Sequence, residues 1–248
     1  MNNIDHEEKV WSEIFENELK KTSNKKYSSY WWEDYYNDII NFIYKNVIEK
    51  FWYKINIIEV GSWSWKSSLL LWNHVKWITL LDISKNALKY AKLLSKKLQV
   101  NNVNYINWDI FNTKINDEEF ELTWNIWTLE HYSDDEIIKI LQEMLRITKK
   151  WWYIAFWVPN EKSWPILKAK ILKLSIFKFV PWYRLDTEKF FKEQEIFELL
   201  RKVGISKSDI KTVKFWSFLP MEMPKILIRI TKNIFIKNKF LNFYLIKK

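Results

Sequence analysis

Short apolar runs alternate with segments in which apolar residues recur every three or four positions between residues 55 and 158. These largely apolar runs predict five strands, because short runs of this composition are typical of buried strands. We expect these strands at 55–60, 77–81, 103–107, 120–127 and 152–158. Strands that alternate with helices predict a doubly wound α/β fold with a mostly parallel sheet.

The segments between these strands predict helices over 65–72, 85–98 and 134–148. Ser84 and Ser133 stand directly before the second and third of these helices, where a serine side chain can accept a hydrogen bond from a free backbone N–H. Further along, a helix is predicted over 188–203, ending at Gly204, and a strand over 210–218.

The regions outside this alternation suggest three parts. Residues 1–54 carry helical periodicity and are expected to form a lid, and residues 55–220 are expected to form the domain, with a substrate-side insertion over 160–185. Residues 221–248 are a basic, apolar extension with seven Lys or Arg and no acid from Lys225 onward. This extension predicts peripheral contact with an anionic membrane surface, or a terminal strand and helix packed on the domain.

The side-chain inventory excludes several kinds of chemistry. The chain has no Cys and three His, so that disulfides and thiolate catalysis are excluded and no metal site is expected. No stretch approaches the ~18 apolar residues of a membrane span, and the N-terminal region lacks the apolar core of a signal peptide. We therefore expect a cytoplasmic protein.

Tryptophan and glycine are present in unusual numbers, 17 and 2 respectively. Ordinary glycine usage predicts roughly 17 glycines in a chain of this length. Some bacterial lineages read the codon UGA as glycine, whereas a common alternative code reads it as tryptophan. We therefore hypothesise that many of these tryptophans are glycines in the natural protein.

Polar residues follow four of the predicted strands. Glu59 and Gly61 lie at the end of the first strand, Asp82 follows the second, Asp109 follows the third, and 125–131 follow the fourth. In doubly wound sheets, ligands bind beyond the carboxyl ends of the strands, near the point where the strand order reverses. Asp82 lies 21 positions beyond Gly61, a spacing at which an acid can accept hydrogen bonds from both ribose hydroxyls. These residues predict a nucleoside pocket.

When glycine is written for Trp63 and Trp65, the turn after the first strand reads EVGSGSG and resembles motif I of class I S-adenosylmethionine-dependent methyltransferases. LLDIS and NWDIF resemble the acidic segments of that family, and NIWTLEHYSDDE and KKWWYIAFWVPN resemble later segments of its ubiquinone-biosynthesis-like, small-molecule members. The resemblance covers residues 51–218. Where this chain has tryptophan, the family expects glycine at positions 63, 65, 108, 127, 151 and 152.

The resemblance implies a Rossmann-like, mostly parallel seven-stranded sheet, with S-adenosyl-L-methionine as cofactor and a small, apolar or aromatic molecule as methyl acceptor. Asp82 would bind the ribose, Asp109 the adenine amino group, and Asn125 the methionine portion. Asp82 and Asp109 could instead be plain strand-end acids. The full set of implied cofactor-binding residues is Glu59, Gly61, Trp63, Trp65, Asp82, Ile83, Asp109, Ile110 and Asn125.

His131 is the candidate catalytic residue, because it follows the fourth strand just before a capped helix. A general base is needed only where the methyl acceptor must lose a proton. The alternative for His131 is a structural hydrogen bond at the start of the helix.

Three other functions compete with a methyltransferase. A P-loop needs G-x-x-x-x-G-K-[ST], and with glycine at position 65 the loop here is one residue short. A nicotinamide-binding turn needs Gly or Ala where this chain has Lys66. If Trp63 and Trp65 are genuine, their bulk would block the cofactor turn, which would leave a non-catalytic basic and aromatic module for a membrane surface or RNA. For the methyltransferase, no nucleic-acid partner is expected.

Overall fold

The computed structural model describes residues 30–62, 65–163, 166, 189–215 and 239–248. Seven strands of this part of the chain form one sheet in the order β3-β2-β1-β4-β5-β7-β6. The strands are β1 Asn56–Ser62, β2 Trp77–Asp82, β3 Val103–Asn107, β4 Phe120–Ile126, β5 Thr148–Pro159, β6 Ile210–Phe215 and β7 Leu241–Lys247.

The first five strands are parallel to one another, and β7 runs antiparallel to both β5 and β6. The strand order reverses at β1, since β2 and β3 lie on one side of it and β4 and β5 lie on the other. The predicted mostly parallel, seven-stranded, Rossmann-like sheet is therefore confirmed. Its reversal point lies at the carboxyl end of β1.

Helices cover both faces of the sheet. Two separate clusters of buried apolar side chains form the core, one on each face, with Ile43 and Leu88 in the first and Ile140 and Leu199 in the second. No helix of the described residues is both long enough and apolar enough to cross a membrane. The helices are α1 Tyr30–Asn46, α2 Lys66–Leu69, α3 Lys85–Lys97, α4 Asp134–Ile147 and α5 Glu193–Lys202, and α1 to α3 share the first face.

The predicted helix boundaries agree with local hydrogen bonding. The Oγ of Ser84 accepts a hydrogen bond from the backbone N–H of Ala87 at 3.2 Å, which caps α3. Ser133 and Glu136 form a reciprocal capping box at the start of α4. Gly204 follows α5 with φ of 86°, a conformation that glycine adopts without strain.

The C-terminal boundary of the domain needs correction. The sequence prediction ended the domain at residue 220 and set 221–248 apart, whereas the structure places Leu241–Lys247 inside the sheet, between β5 and β6. Residues 241–246 are buried on both faces. The alternative prediction for this extension, a terminal strand packed on the domain, is therefore confirmed for residues 241–247. Residues 221–238 lie outside the described part, and the membrane contact predicted for them stays a prediction.

The last helix also starts later than predicted. The backbone N–H of Lys189 donates to the carbonyl of Glu130 at 2.7 Å, and Phe191 pairs with Asn160 in an isolated parallel bridge. These contacts hold residues 189–191 against the ends of β4 and β5, so that α5 begins only at Glu193. Thr187, the predicted start of this helix, lies outside the described residues.

A polar network joins α4 to the loop before β4. Arg146 donates to Glu143 and to Asp117, and the Oγ1 and backbone N–H of Thr113 both donate to Glu143. Burial opposes ionisation of Glu143, but the hydrogen bonds from Arg146 and Thr113 outweigh it and lower the pKa of Glu143 from 4.5 to about 2. Ionised Glu143 therefore stabilises the folded state.

We predict that Glu143→Gln lowers stability in a pH-dependent way. Since the folded pKa is depressed, the stabilisation is present above the unfolded pKa of 4.5 and is lost as the pH falls towards 2. At pH 7 we expect a loss of about 1–2 kcal/mol, because Arg146 is partly exposed and solvent screens the pair. Urea unfolding of Glu143→Gln and wild type, measured from pH 7 downward, tests this.

Glu198→Gln is the matched control, because Glu198 lies exposed on α5. This control is expected to follow the wild type at every pH. A deficit of Glu143→Gln that stays the same at low pH would contradict the prediction.

Candidate functional site

The register between β1 and β4 shifts at a β-bulge near the end of β1. Glu59 pairs with Trp124 and Ser62 pairs with Ile126, so that β1 has one extra residue between these pairs. Gly61 occupies the bulge with φ of 66°, and a Cβ built on it would lie 2.9 Å from the Cγ2 of Thr128. Both the backbone conformation and the space therefore require glycine here.

The turn after β1 continues into α2. Trp63 lies outside the described residues. Trp65 occupies the N-cap position of α2 with φ of 53°, and its side chain is fully buried. Of the two tryptophans predicted to lie in this turn, Trp65 is therefore the one that the structure describes.

Glu59 belongs to a buried chain of hydrogen bonds. The Nε1–H of Trp124 donates to the Oγ of Ser68 at 2.8 Å, and that hydroxyl donates to the Oε2 of Glu59 at 2.5 Å. Glu59 is fully buried. The structure thus gives Glu59 a role in holding α2 against β1 and β4, and direct contact between Glu59 and a cofactor stays a prediction.

The ends of β2 and β3 bring both predicted acids to the same edge. Asp82 pairs with Asn107 across the two strands, and its Oδ1 accepts from the backbone N–H of Ser84 at 2.8 Å. The Oδ1 of Asp109 accepts from the backbone N–H of Phe111 at 2.9 Å. Both acids are half-buried, and each is held in a local turn with part of its surface open to solvent.

The two isoleucines beside these acids differ in burial. Ile83 is half-buried, whereas Ile110 is buried and packs in the core beside Val60 and Leu81. Asn107 ties the two turns together, since its Nδ2 donates to the carbonyl of Asp82 at 3.0 Å and to the carbonyl of Ile83 at 2.7 Å.

Asn125, on β4, lies opposite the bulge of β1. Its Nδ2 donates to the carbonyl of Val60, which ties β4 to the bulged strand. Asn125 is fully buried, and its Oδ1 has no hydrogen-bond partner among the described residues. A buried acceptor without a donor is costly, so that this oxygen marks a position where a ligand can donate a hydrogen bond.

His131 lies one short turn beyond β4. It ends the 3-10 turn Leu129–His131 and is half-buried, with its backbone N–H donating to the carbonyl of Thr128 at 3.1 Å. The next residue, Tyr132, contacts Phe111 edge to face, with ring centroids 5.4 Å apart. The loops after β3 and β4 therefore meet, although β2 and β1 separate these strands in the sheet.

Residues 57–151 match a family described as "Methyltransferase domain". This segment begins in β1 and ends in β5, so that it contains all of the strand ends described above. This match supports the predicted resemblance to S-adenosylmethionine-dependent methyltransferases. No curated protein matches the chain.

Solved structures share the fold of this chain at low sequence identity. A possible histamine N-methyltransferase from Thermotoga maritima is 18% identical, with a TM-score of 0.62, over 96% of this chain and 100% of the other. The magnesium protoporphyrin IX methyltransferase of Synechocystis PCC 6803 is 9% identical, with a TM-score of 0.68, over 99% and 100%. The cyclase SpnF is 13% identical, with a TM-score of 0.63, over 91% and 84%.

Two residues of the candidate site were missed by the sequence prediction. Asn107 braces the acidic turns, and Thr128 defines how closely β4 approaches Gly61. Asn107 stands at a strand end beside Asp109, and that position was its only signal in the sequence. Thr128 has no such signal, because its role depends on the spacing between two strands.

We predict that Gly61→Ala destabilises the protein more than Gly204→Ala does. Both glycines have positive φ, but a Cβ at Gly204 meets nothing within 4 Å, whereas at Gly61 it meets Thr128. Gly204→Ala should cost about 1 kcal/mol for the backbone strain, and Gly61→Ala should cost about 1–3 kcal/mol more because of the clash. Urea unfolding of both variants measures the difference.

Thr128→Ala supplies the internal check, since it removes Cγ2 and Oγ1, the two atoms that a Cβ at residue 61 would approach most closely. The double variant Gly61→Ala/Thr128→Ala should recover most of the additional loss. Equal losses at the two glycines would contradict the steric argument.

Proposed function

We propose that the protein transfers a methyl group from S-adenosyl-L-methionine to an O, N or C atom of a small, apolar or aromatic molecule. The observation that carries this proposal is the convergence of four strand ends where the strand order reverses. Gly61, Asp82, Asp109 and Asn125 lie at the ends of four adjacent strands there. In doubly wound folds this is the place where nucleotide-like ligands bind.

The residues present suit such a cofactor. The left-handed turn at Gly61 lets a ligand approach the backbone without meeting a Cβ. The half-buried carboxylates of Asp82 and Asp109 can accept hydrogen bonds from ribose hydroxyls and from an adenine amino group. The unpartnered Oδ1 of Asn125 can accept one from the ammonium group of the methionine portion.

When bound, S-adenosylmethionine supplies an electrophilic methyl group on a sulfonium. The task of the chain is then to hold donor and acceptor in line, because alignment of two reactants is a major source of rate acceleration. Asp82 and Asp109 would fix the nucleoside end of the donor, and Asn125 would orient the end that carries the methyl group. No protein nucleophile is required.

The acceptor side is aromatic. Phe111 and Tyr132 contact each other beside His131, with ring centroids 5.4 Å apart. Rings at this edge favour a flat or apolar acceptor over a strongly charged one. His131 would accept a proton from acceptors that must lose one, such as a hydroxyl.

We predict that Asp82→Asn weakens S-adenosylmethionine binding by about 10- to 100-fold, the loss expected when a charged acceptor of two hydrogen bonds becomes neutral. The measurement is titration calorimetry. The same substitution at Asp209, an exposed acid that precedes β6, should leave the affinity unchanged. Equal affinities of Asp82→Asn and wild type would remove Asp82 from the site.

The titration is to be run on two proteins, the chain as written and the chain with glycine at positions 63, 65, 108, 127, 151 and 152. Binding by the glycine form supports the proposed function. Failure of the glycine form to bind would overturn it.

We predict that His131→Ala lowers turnover with a hydroxyl acceptor by roughly 100-fold or more while leaving cofactor affinity unchanged, as expected for loss of a general base. The assay follows the labelled methyl group into an extract of apolar metabolites, because the cyclase SpnF has the same fold and binding alone does not establish methyl transfer. Wild-type turnover of His131→Ala would end its assignment as a base.

A further inference from the structure

Six residues other than glycine have a left-handed backbone among the described residues, and three of these six are tryptophan. Their φ angles are 53° at Trp65, 60° at Trp127 and 68° at Trp151. In this conformation the Cβ of an L-residue crowds its own backbone, and bulky residues adopt it only as outliers. Gly61 and Gly204 share the conformation.

The proportion of tryptophans with a left-handed backbone is far above expectation. The described ranges contain the backbone of twelve tryptophans, and three of them are left-handed. Only a few per cent of non-glycine residues adopt positive φ, with Asn and Asp enriched and bulky residues depleted. Tryptophan is disfavoured at positive φ in proteins generally, yet it is over-represented there in this chain's described residues.

Each of the three positions lies where a strand or helix changes direction. Trp65 stands at the N-cap of α2, and Trp127 directly follows β4. Trp151 lies in an irregular stretch of β5, since Phe120 pairs with Thr148 but Leu122 pairs with Tyr153. Glycine is the residue that most readily adopts a left-handed backbone at such irregular positions.

Burial does not compensate for the strain at Trp151. Its side chain is 76% exposed, so that it gains little from packing. Trp65 differs, because its fully buried indole would leave a void when removed. Trp151 is therefore the position at which the backbone effect can be measured without a change in the core.

We infer that positions 65, 127 and 151 are glycine in the functional protein, and that the codons written here as tryptophan are read as glycine. The left-handed backbone selects these three from the twelve described tryptophans by a criterion independent of composition and of sequence motif. The inference does not rest on the proposed reaction.

Peptide mass spectrometry of the protein isolated from its own cells tests the assignment directly. Peptides that span positions 65, 127 and 151 should each have the mass expected for glycine. A tryptophan mass at any of the three would overturn the assignment for that position.

A stability comparison tests the physical basis, and it uses glycine and alanine at two exposed strand positions. At Trp151, we predict that the glycine variant melts about 2–4 °C above the alanine variant, because only glycine relieves the left-handed strain. Trp77 is the matched control, since it is 43% exposed on β2 and lies outside the positive-φ group. There the alanine variant should melt higher. The same ranking at both positions would overturn the backbone argument.

These two readouts are separate from the test of the proposed function. Neither the peptide masses nor the melting temperatures depend on cofactor binding. Glycine at all three positions in a protein that does not bind S-adenosylmethionine would support this inference and refute the proposed function.

Discussion

The close approach of β1 to β4 at Gly61 is the constraint on which the carboxyl edge of the sheet depends. At this bulge the carbonyl of Val60 accepts a hydrogen bond from the side chain of Asn125. The absence of a Cβ at Gly61 leaves room for the side chain of Thr128. The turns after β2 and β3 lie at the same edge of the sheet, where Asn107 braces them. Gly61 thus determines how closely β1 and β4 approach each other at this edge.

Most of the fold follows from patterns that short stretches of sequence contain. The strands β2 and β3 begin and end at predicted residues or within one of them, and β2 is a continuous apolar run. The serine caps of α3 and α4 are equally local. In contrast, the position of β7 between β5 and β6 depends on its pairing with both neighbours, and the start of α5 depends on the tethering of Lys189 to Glu130. Long-range pairing of this kind leaves no periodicity in the sequence.

The candidate site likewise combines residues that the sequence predicts with contacts that only the structure shows. Asp82, Asp109 and His131 follow strands whose ends the sequence predicts, and the structure places all three at one edge of the sheet. The sequence could not show that Glu59 is enclosed by Ser68 and Trp124, because this depends on how α2 packs. Nor could it show that Asn125 has one amide atom committed to Val60 and the other without a partner among the described residues. Spacing predicts which residues meet, and only packing shows which of their polar atoms have a partner.

The insertion of β7 between β5 and β6 has a consequence for the order of folding. Residues 210–215 reach the rest of the sheet only through the hydrogen bonds of residues 241–247. During synthesis, β1 to β5 can associate as soon as they leave the ribosome, but β6 must wait, unpaired, until some thirty further residues have been added. The edge of β5 is exposed over the same interval and can pair with another chain. Closure of this sheet is therefore a late event that needs the C-terminal strand.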